Sequence, residues 1–409
     1  MTALHPIAHR LATVAALLLP CGLAMAGTVQ LTSGASSFNS FGSSVSDDGR
    51  RVAFYSASNL TGQNGDNSFE IYVYDRGTGA LSQVSRFDGG HLAGGNQAPV
   101  ISGDGTRISY QHFRTSGGTA TFQSLLFDAS TGQTTTLTPM SLFGETNELS
   151  RDGRTVAIAT GNTGLRLYDV AGNTLGPVIA GNTFNTAMSR DGRQLALEFF
   201  GRLELRDLDG GTTRNVTPAG SGPNMRPDLS DDGRWLAFTA TFDPLGRNAD
   251  HNDEVFVYDT VSGSIRQVTR STGGFGTNSD VSISADGTRI AFNSTADLVG
   301  RNADLNQEIF VYDLVDDRLT QVTETLGSFS MEPSLSGDGR WLSFTSSADL
   351  TGENRSGAPQ IFLTELAPTS APVPEPAPWL MAGLGLAALM RRRSVQQARR
   401  PGPSFNPRI

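Results

Sequence analysis

The chain has 409 residues, 17% of them charged, with 47 glycines and a formal net charge of −9. All its basic residues are Arg, and seven of the 31 fall in the two ends, so the middle of the chain keeps 24 against 40 acids, near −16. Such an acidic surface excludes nucleic acid and anionic membrane surfaces as partners, and one cysteine, Cys21, excludes a disulfide framework or a thiolate zinc site.

In chain order, residues 1–26 read as a secretory signal peptide. Arg10 supplies the positive start, Leu11–Leu19 the short apolar run, and Ala24-Met25-Ala26 the small-residue cleavage site, which makes Gly27 the first mature residue. Pro20 before Cys21 argues against lipidation, so the mature chain is expected to carry no thiol.

Between residues 28 and 366 a Ser-x-Asp-Gly turn followed by an apolar strand occurs seven times, with its glycines at 49, 105, 153, 192, 233, 287 and 339. Gly-to-Gly spacings of 56, 48, 39, 41, 54 and 52 fit one four-stranded blade per repeat. Each Asp-Gly pair suits a hairpin, because Gly accepts positive φ and Asp bonds nearby backbone. The next strands, such as Val52-Ala53-Phe54, and later ones, such as Ile71-Tyr72-Val73-Tyr74-Asp75, are apolar at successive positions. That pattern fits sheets covered on both faces, with the Tyr and Phe as core between blades and Trp235 and Trp341 packed over a strand. The last strand of a unit reads Gln83-Val84-Ser85, Gln267-Val268-Thr269 or Gln321-Val322-Thr323. The seventh unit stops at Ile361-Phe362-Leu363-Thr364-Glu365 without one, while an orphan copy, Val29-Gln30-Leu31-Thr32, begins the mature chain. The N-terminal strand is therefore expected to complete the last blade and close an all-β, seven-bladed propeller.

At these residues the chain resembles the TolB-type β-propeller repeat, a WD-like family with a Ser-x-Asp-Gly-Arg-x-Ile/Val-Ala-Phe core. The resemblance implies the fold; the repeat serves binding proteins, transport components and peptidase propellers alike, so it implies no activity. The propeller is expected to follow the signal directly, without the α/β domain that precedes it in TolB, and no hydrolase domain is expected after it.

Residues 367–376 form a Pro-rich linker ending in Pro374-Glu375-Pro376. An apolar helix and an Arg cluster, Arg391-Arg392-Arg393, fill 377–393, and 394–409 read as a disordered tail. This arrangement resembles the PEP-CTERM sorting signal of Gram-negative bacteria. The resemblance implies an exosortase-type processing enzyme as partner, transient insertion of the tail in the inner membrane with the Arg cluster cytoplasmic, and a final location in the periplasm, at the cell surface or in extracellular matrix.

Three loops repeat an oxygen-rich pattern: Asn64-x-Asp66-x-Ser68-x-Glu70, Asn248-x-Asp250-x-Asn252-x-Glu254 and Asn302-x-Asp304-x-Asn306-x-Glu308. Oxygens at alternate positions can converge on a hard cation such as Ca²⁺. The simpler reading is a set of Asx turns whose side chains satisfy local backbone, and that reading is favoured. Only His91, His112 and His251 follow the signal, in separate repeats, and no nucleophile elbow appears. No catalytic residue is assigned and no cofactor is required, calcium being the one candidate. The expected function is non-enzymatic binding of a protein or polysaccharide by a monomer. The alternative is a lyase or hydrolase acting on extracellular polysaccharide at the channel mouth.

Overall fold

The computed structural model describes residues 27–368 apart from 35–38, 91, 161–163, 182, 184, 200, 223–224 and 273–276. The expected signal peptide and the whole sorting tail, residues 369–409, lie outside the described residues. Seven four-stranded antiparallel sheets account for all the strands among the described residues. Their inner strands are Ser40–Val45, Gly94–Ile101, Glu145–Leu149, Thr186–Met188, Asp228–Leu229, Asn278–Ile283 and Ser330–Leu335, in blades 1 to 7. In the last blade, Val29–Gln30 pairs antiparallel with Gln360–Glu365, so the first strand of the described chain closes the ring as expected.

Each Ser-x-Asp-Gly turn links an inner strand to the second strand, and its chemistry is local. In blade 1 the Ser46 hydroxyl donates to Asp48 (2.9 Å) and accepts from Arg51 N (2.9 Å), Asp48 accepts from Arg50 N, and Gly49 N donates to Ser46 O. The Ser–Asp bond recurs in the other six turns. Gly49 has φ +66°, and a Cβ there would lie 2.1 Å from the Trp341 ring of blade 7. Gly287 meets Trp235 of blade 5 in the same way at 2.2 Å. The glycine is thus required twice, by backbone conformation and by the side chain the preceding blade rests on it.

Between blades the core is apolar and stacked. Cross-strand pairs Phe54–Tyr72, Phe238–Phe256, Phe292–Phe310 and Phe344–Phe362 lie directly opposite in register, with centroids 5.7–5.8 Å apart and all eight rings 0% exposed. Burial of such rings supplies most of the stabilisation between sheets.

The outer strands end earlier than the Gln-Val-Ser/Thr pattern implies. They run Ala80–Gln83, Ile265–Gln267 and Arg318–Gln321, and the hydroxyl two residues later replaces the ladder. Ile71 N donates to Ser85 Oγ, Val255 N to Thr269 Oγ1 and Ile309 N to Thr323 Oγ1, each at 2.8 Å. Thr32 does the same for blade 7, accepting from Ile361 N at 3.0 Å. The orphan segment therefore reproduces the side-chain chemistry of an outer strand as well as its backbone pairing.

Two glycine substitutions separate the two demands on the turn. Gly79 has φ +69° with nothing within 4 Å of a new Cβ, so Gly79→Ala is expected to lower stability by about 1 kcal/mol. Gly49→Ala adds the collision with Trp341 and is expected to cost about 3 kcal/mol. Equal losses in urea unfolding would refute the interlock.

Candidate functional site

The seven turns meet at the axis, where the carbonyl of each second residue accepts from the second or third residue of a neighbouring turn around the full circle. Asp47 N donates to Gly103 O, Gly103 N to Arg151 O, Asp152 N to Arg190 O, Arg190 N to Asp231 O, Asp231 N to Ala285 O, Ala285 N to Gly337 O and Asp338 N to Asp47 O, all at 2.7–3.0 Å. Charged side chains of the same residues cross the axis. Asp47 accepts from Arg151 at 3.0 Å and from Arg190 at 2.8 Å, and Arg190 also bonds Asp231 at 2.5 Å. A Cβ at Gly103 or Gly337 would come within 2.2 or 2.6 Å of the Asp47 carboxylate, so only glycine leaves room for this lock.

On the other side of the lock the inner strands line a cavity of about 340 Å³. Ser43, Asn147, Thr186, Pro227, Val281 and Pro333 contribute from one level, and Arg226, Asp280 and Glu332 from the residue before. A feature of the inner strands that sequence reasoning missed places these charges. Four residues before the turn Ser, the backbone is left-handed at Gly42 (φ +58°), Ala98 (+50°), Arg226 (+36°), Asp280 (+53°) and Glu332 (+55°). In blades 1, 2, 6 and 7 the pairing register shifts at this point, marking a β-bulge. Non-glycine residues in this conformation cost about 1 kcal/mol or more each, and here they carry charged groups to the cavity. Glu332 accepts from Gly42 N of the next blade at 2.8 Å and from Thr345 Oγ1 at 3.1 Å, and Asp280 forms an ion pair with Arg226. The signal available in the sequence was the acid or Arg at this one position before the turn.

Two further carboxyls lie one residue closer to the lock. Asp228 accepts from Ile283 N of the next blade at 2.8 Å, the role that Ser44, Ser282 and Ser334 hydroxyls play in their blades. Desolvation pushes Asp228 up to about 6, against its backbone donors and Arg151. Glu148, which lines the cavity, is pushed up to about 8 by desolvation and by the Asp228 carboxylate, with Arg151 opposing. Near neutral pH the pair therefore presents a protonated Glu148 beside a largely ionised Asp228.

Neither described histidine, His112 or His251, lines this cavity. His112 stacks edge-on against Phe87 and bonds Asn96 Oδ1 at 3.0 Å, with burial and Arg114 lowering its pKa. His251 bonds Thr241 O at 3.1 Å, and His91 lies outside the described residues. Among the described residues no three His, Cys, Asp or Glu side chains cluster as metal ligands.

The three oxygen-rich loops connect the second and third strands of blades 1, 5 and 6 and hold their Glu residues buried. Glu70 accepts from Ser85 Oγ (2.5 Å), Phe87 N (2.5 Å), Ser68 Oγ (3.0 Å) and Asn96 Nδ2 (3.0 Å). Glu254 and Glu308 have matching partners in Thr269 and Ser271, and in Thr323 and Thr325. Burial raises the pKa of all three, and these donors pull it partly back. Each Glu thus ties its loop to the segment after the outer strand.

Comparison with known proteins gives two kinds of likeness. Residues 372–394 match the PEP-CTERM protein-sorting motif, which includes Pro374, Glu375, Pro376 and Arg391–Arg393 and marks the chain as exported with exosortase processing implied. No curated protein sequence matches the chain. Among solved structures, an oligogalacturonate lyase in complex with manganese is 14% identical with a TM-score of 0.56, and one from Vibrio parahaemolyticus is 12% identical with 0.58. Each alignment covers 83% of this chain and 93% of the lyase. TolB from Acinetobacter baumannii is 18% identical over 73% of this chain and 77% of its own, with a TM-score of 0.44. At such identities the lyases share the propeller fold and nothing finer. Among the described residues no helix is long and apolar enough to cross a membrane.

The Glu148–Asp228 pair sets a pH dependence. A carboxyl raised in the folded state binds its proton there before it does in the unfolded chain, so stability falls as pH rises from about 4.5 through 8. Glu148→Gln is expected to remove most of that fall and to raise stability at pH 9 by roughly 1–3 kcal/mol. Thermal melts at pH 6 and pH 9 check it, and a variant that keeps the wild-type slope refutes the assignment.

Proposed function

We propose that this exported propeller is a non-enzymatic binding protein of the cell surface or extracellular matrix, holding a polysaccharide or protein ligand at the axial cavity and the loops around it. The observation that carries this reading is the cavity lining. Ser43, Thr146, Asn147, Asn185 and Thr186 bring hydroxyls and amides to the lining, the groups that recognise a hydroxyl-rich chain. Ser43 donates to Ser343 Oγ, and Asn147 and Asn185 each give one amide hydrogen, to Tyr110 O and Glu198 respectively, which leaves their remaining hydrogens and lone pairs for a ligand. The carboxylates beside them are occupied structurally, Glu332 by Gly42 N and Thr345, and Asp280 by Arg226. Such binding requires no cofactor. The sorting tail supports the location: cleavage near Pro374-Glu375-Pro376, after removal of residues 1–26 at Gly27, releases the propeller from the inner membrane.

One observation favours a second reading, a lyase or hydrolase acting on extracellular polysaccharide. Glu148 and Asp228 are neighbouring acids with separated pKa values of about 8 and about 6, the property expected of an acid–base pair. In that reading Glu148 donates a proton and Asp228 accepts one.

Titration of the mature chain with extracellular polysaccharide from the producing bacterium distinguishes the two. Saturable binding is expected, with no new reducing ends or unsaturated products. Thr186→Ala is expected to weaken binding about fivefold, through the loss of one hydrogen bond near 1 kcal/mol. Product formation that Glu148→Gln abolishes would replace the binding reading with the enzymatic one.

A further inference from the structure

The loops between second and third strands in blades 1, 5, 6 and 7 are each 13 residues long and share one backbone design. In all four, an Asn N–H donates to an Asn or Asp Oδ1 five residues earlier: Asn64 to Asn59, Asn248 to Asp243, Asn302 to Asp297 and Asn354 to Asp349, at 2.7–2.9 Å. In all four, the same Asn donates its Nδ2 to the carbonyl four residues on, at 2.8–3.0 Å. The amide is therefore fixed, and its Oδ1 is turned to the same side in every loop.

What that Oδ1 meets differs between blades. In blade 7 the residue two positions on is Ser356, whose hydroxyl donates to Asn354 Oδ1 at 3.1 Å. In blades 5 and 6 the same place holds Asp250 and Asp304, which have no hydrogen to give. Asn248 Oδ1 and Asn302 Oδ1 have no hydrogen-bond partner, although the two residues are 2% and 1% exposed. Asn252, 1% exposed, spends its Nδ2 on Ser271 O and Oγ, and its Oδ1 is unpartnered too. Asn306 repeats this with Thr325 and Ser328. Turning either amide over would set its oxygen against a carbonyl, so the orphan atoms are acceptors. In blade 1 the corresponding oxygens visibly converge. Asn64 Oδ1 (3.3 Å), Asp66 Oδ1 (3.1 Å), Glu70 Oε1 (3.0 Å) and Phe87 O (3.0 Å) all surround Ser68 Oγ, which has one hydrogen for four acceptors.

A buried acceptor without a donor costs about 1–3 kcal/mol as a general rule, and blade 7 demonstrates that the loop folds without incurring it. A positive ion satisfies several such oxygens together. Oxygens about 3 Å apart are spaced as ligands around a cation that binds oxygen at about 2.3–2.6 Å. We propose that the loops of blades 1, 5 and 6 each bind a Ca²⁺ ion through Asn64, Asp66 and Ser68, through Asn248, Asp250 and Asn252, and through Asn302, Asp304 and Asn306, and that the blade 7 loop binds none. Amide-rich, singly charged ligand sets of this kind correspond to the weak sites of exported modules, at roughly 0.1–1 mM. The proposal is independent of what the axial cavity holds.

The test uses chelator-stripped mature chain in equilibrium dialysis at about 10 mM free calcium, roughly tenfold above the weakest such sites, together with melting curves in calcium and in chelator. About three ions per chain are expected, one for each acidic loop, with a higher Tm in calcium. Asp66→Asn, Asp250→Asn and Asp304→Asn combined preserve side-chain shape and are expected to abolish both effects while leaving the Tm in chelator unchanged or higher. Less than one ion per chain in the parent protein, or an unchanged count in the triple variant, would overturn the assignment. A fully folded triple variant, verified by circular dichroism, makes the second outcome decisive.

Discussion

The structure depends on closing a circle. Seven sheets that are apolar on both faces have no stable edge until the last meets the first. Closure is made at two radii. Near the axis, seven inter-blade backbone bonds run from Asp47 around to Asp338 and back to Asp47. At the rim, Val29–Gln30 supplies the missing outer strand of the seventh sheet. The first fixes the angle between blades and the second prevents the ring from opening. The Asp47–Arg151–Arg190–Asp231 lock follows from this ring, because the residues that bond through their backbones necessarily bring their side chains to the axis.

The legible part of the fold was the part written in local chemistry. A turn in which Ser bonds Asp and Gly takes positive φ needs only four neighbouring residues, so it recurs in recognisable form. The Val29-Gln30-Leu31-Thr32 copy was legible for the same reason, since Thr32 performs the bond that Thr269 and Thr323 perform in their blades. The lock was not legible. Its position within the turn is Asp, Gly, Arg, Arg, Asp, Ala and Gly across the seven repeats, and this variation has meaning only when residues 104 and 143 positions apart meet. The inner-strand bulge escaped similarly, because the acid or Arg four residues before the turn Ser marks the position of Arg226, Asp280 and Glu332 but not their left-handed backbone.

The oxygen-rich loops were legible as a pattern, with the Asx-turn reading favoured over a calcium site. Their Glu residues are hydrogen-bonded to hydroxyls and backbone N–H groups, which agrees with a structural role for that position. The Asn and Asp positions behave differently, and the contrast with Ser356 in blade 7 separates the two roles within one loop. A motif of four polar residues thus divides into one that holds the loop and three whose oxygens exceed the available hydrogens.

The loops also make the propeller unequal around its axis. Blades 5, 6, 7 and 1, which are adjacent in the ring, carry 13-residue connections between second and third strands, whereas blades 2, 3 and 4 carry two or three residues. One side of the face opposite the turns therefore has long loops, whereas blades 3 and 4 are low and blade 2 extends only as a hairpin of ten-residue strands. The carboxylates set by the inner-strand bulge, Asp280 and Glu332, belong to blades on the built-up side, and the amides and hydroxyls Asn147, Asn185 and Thr186 belong to the low side. The cavity therefore presents hydroxyl and amide groups on the side of blades 3 and 4, and charge on the side where the loops rise. The sequence spacings of 56, 54 and 52 against 39 and 41 are the linear trace of that asymmetry, and it gives an otherwise repetitive ring a single orientation.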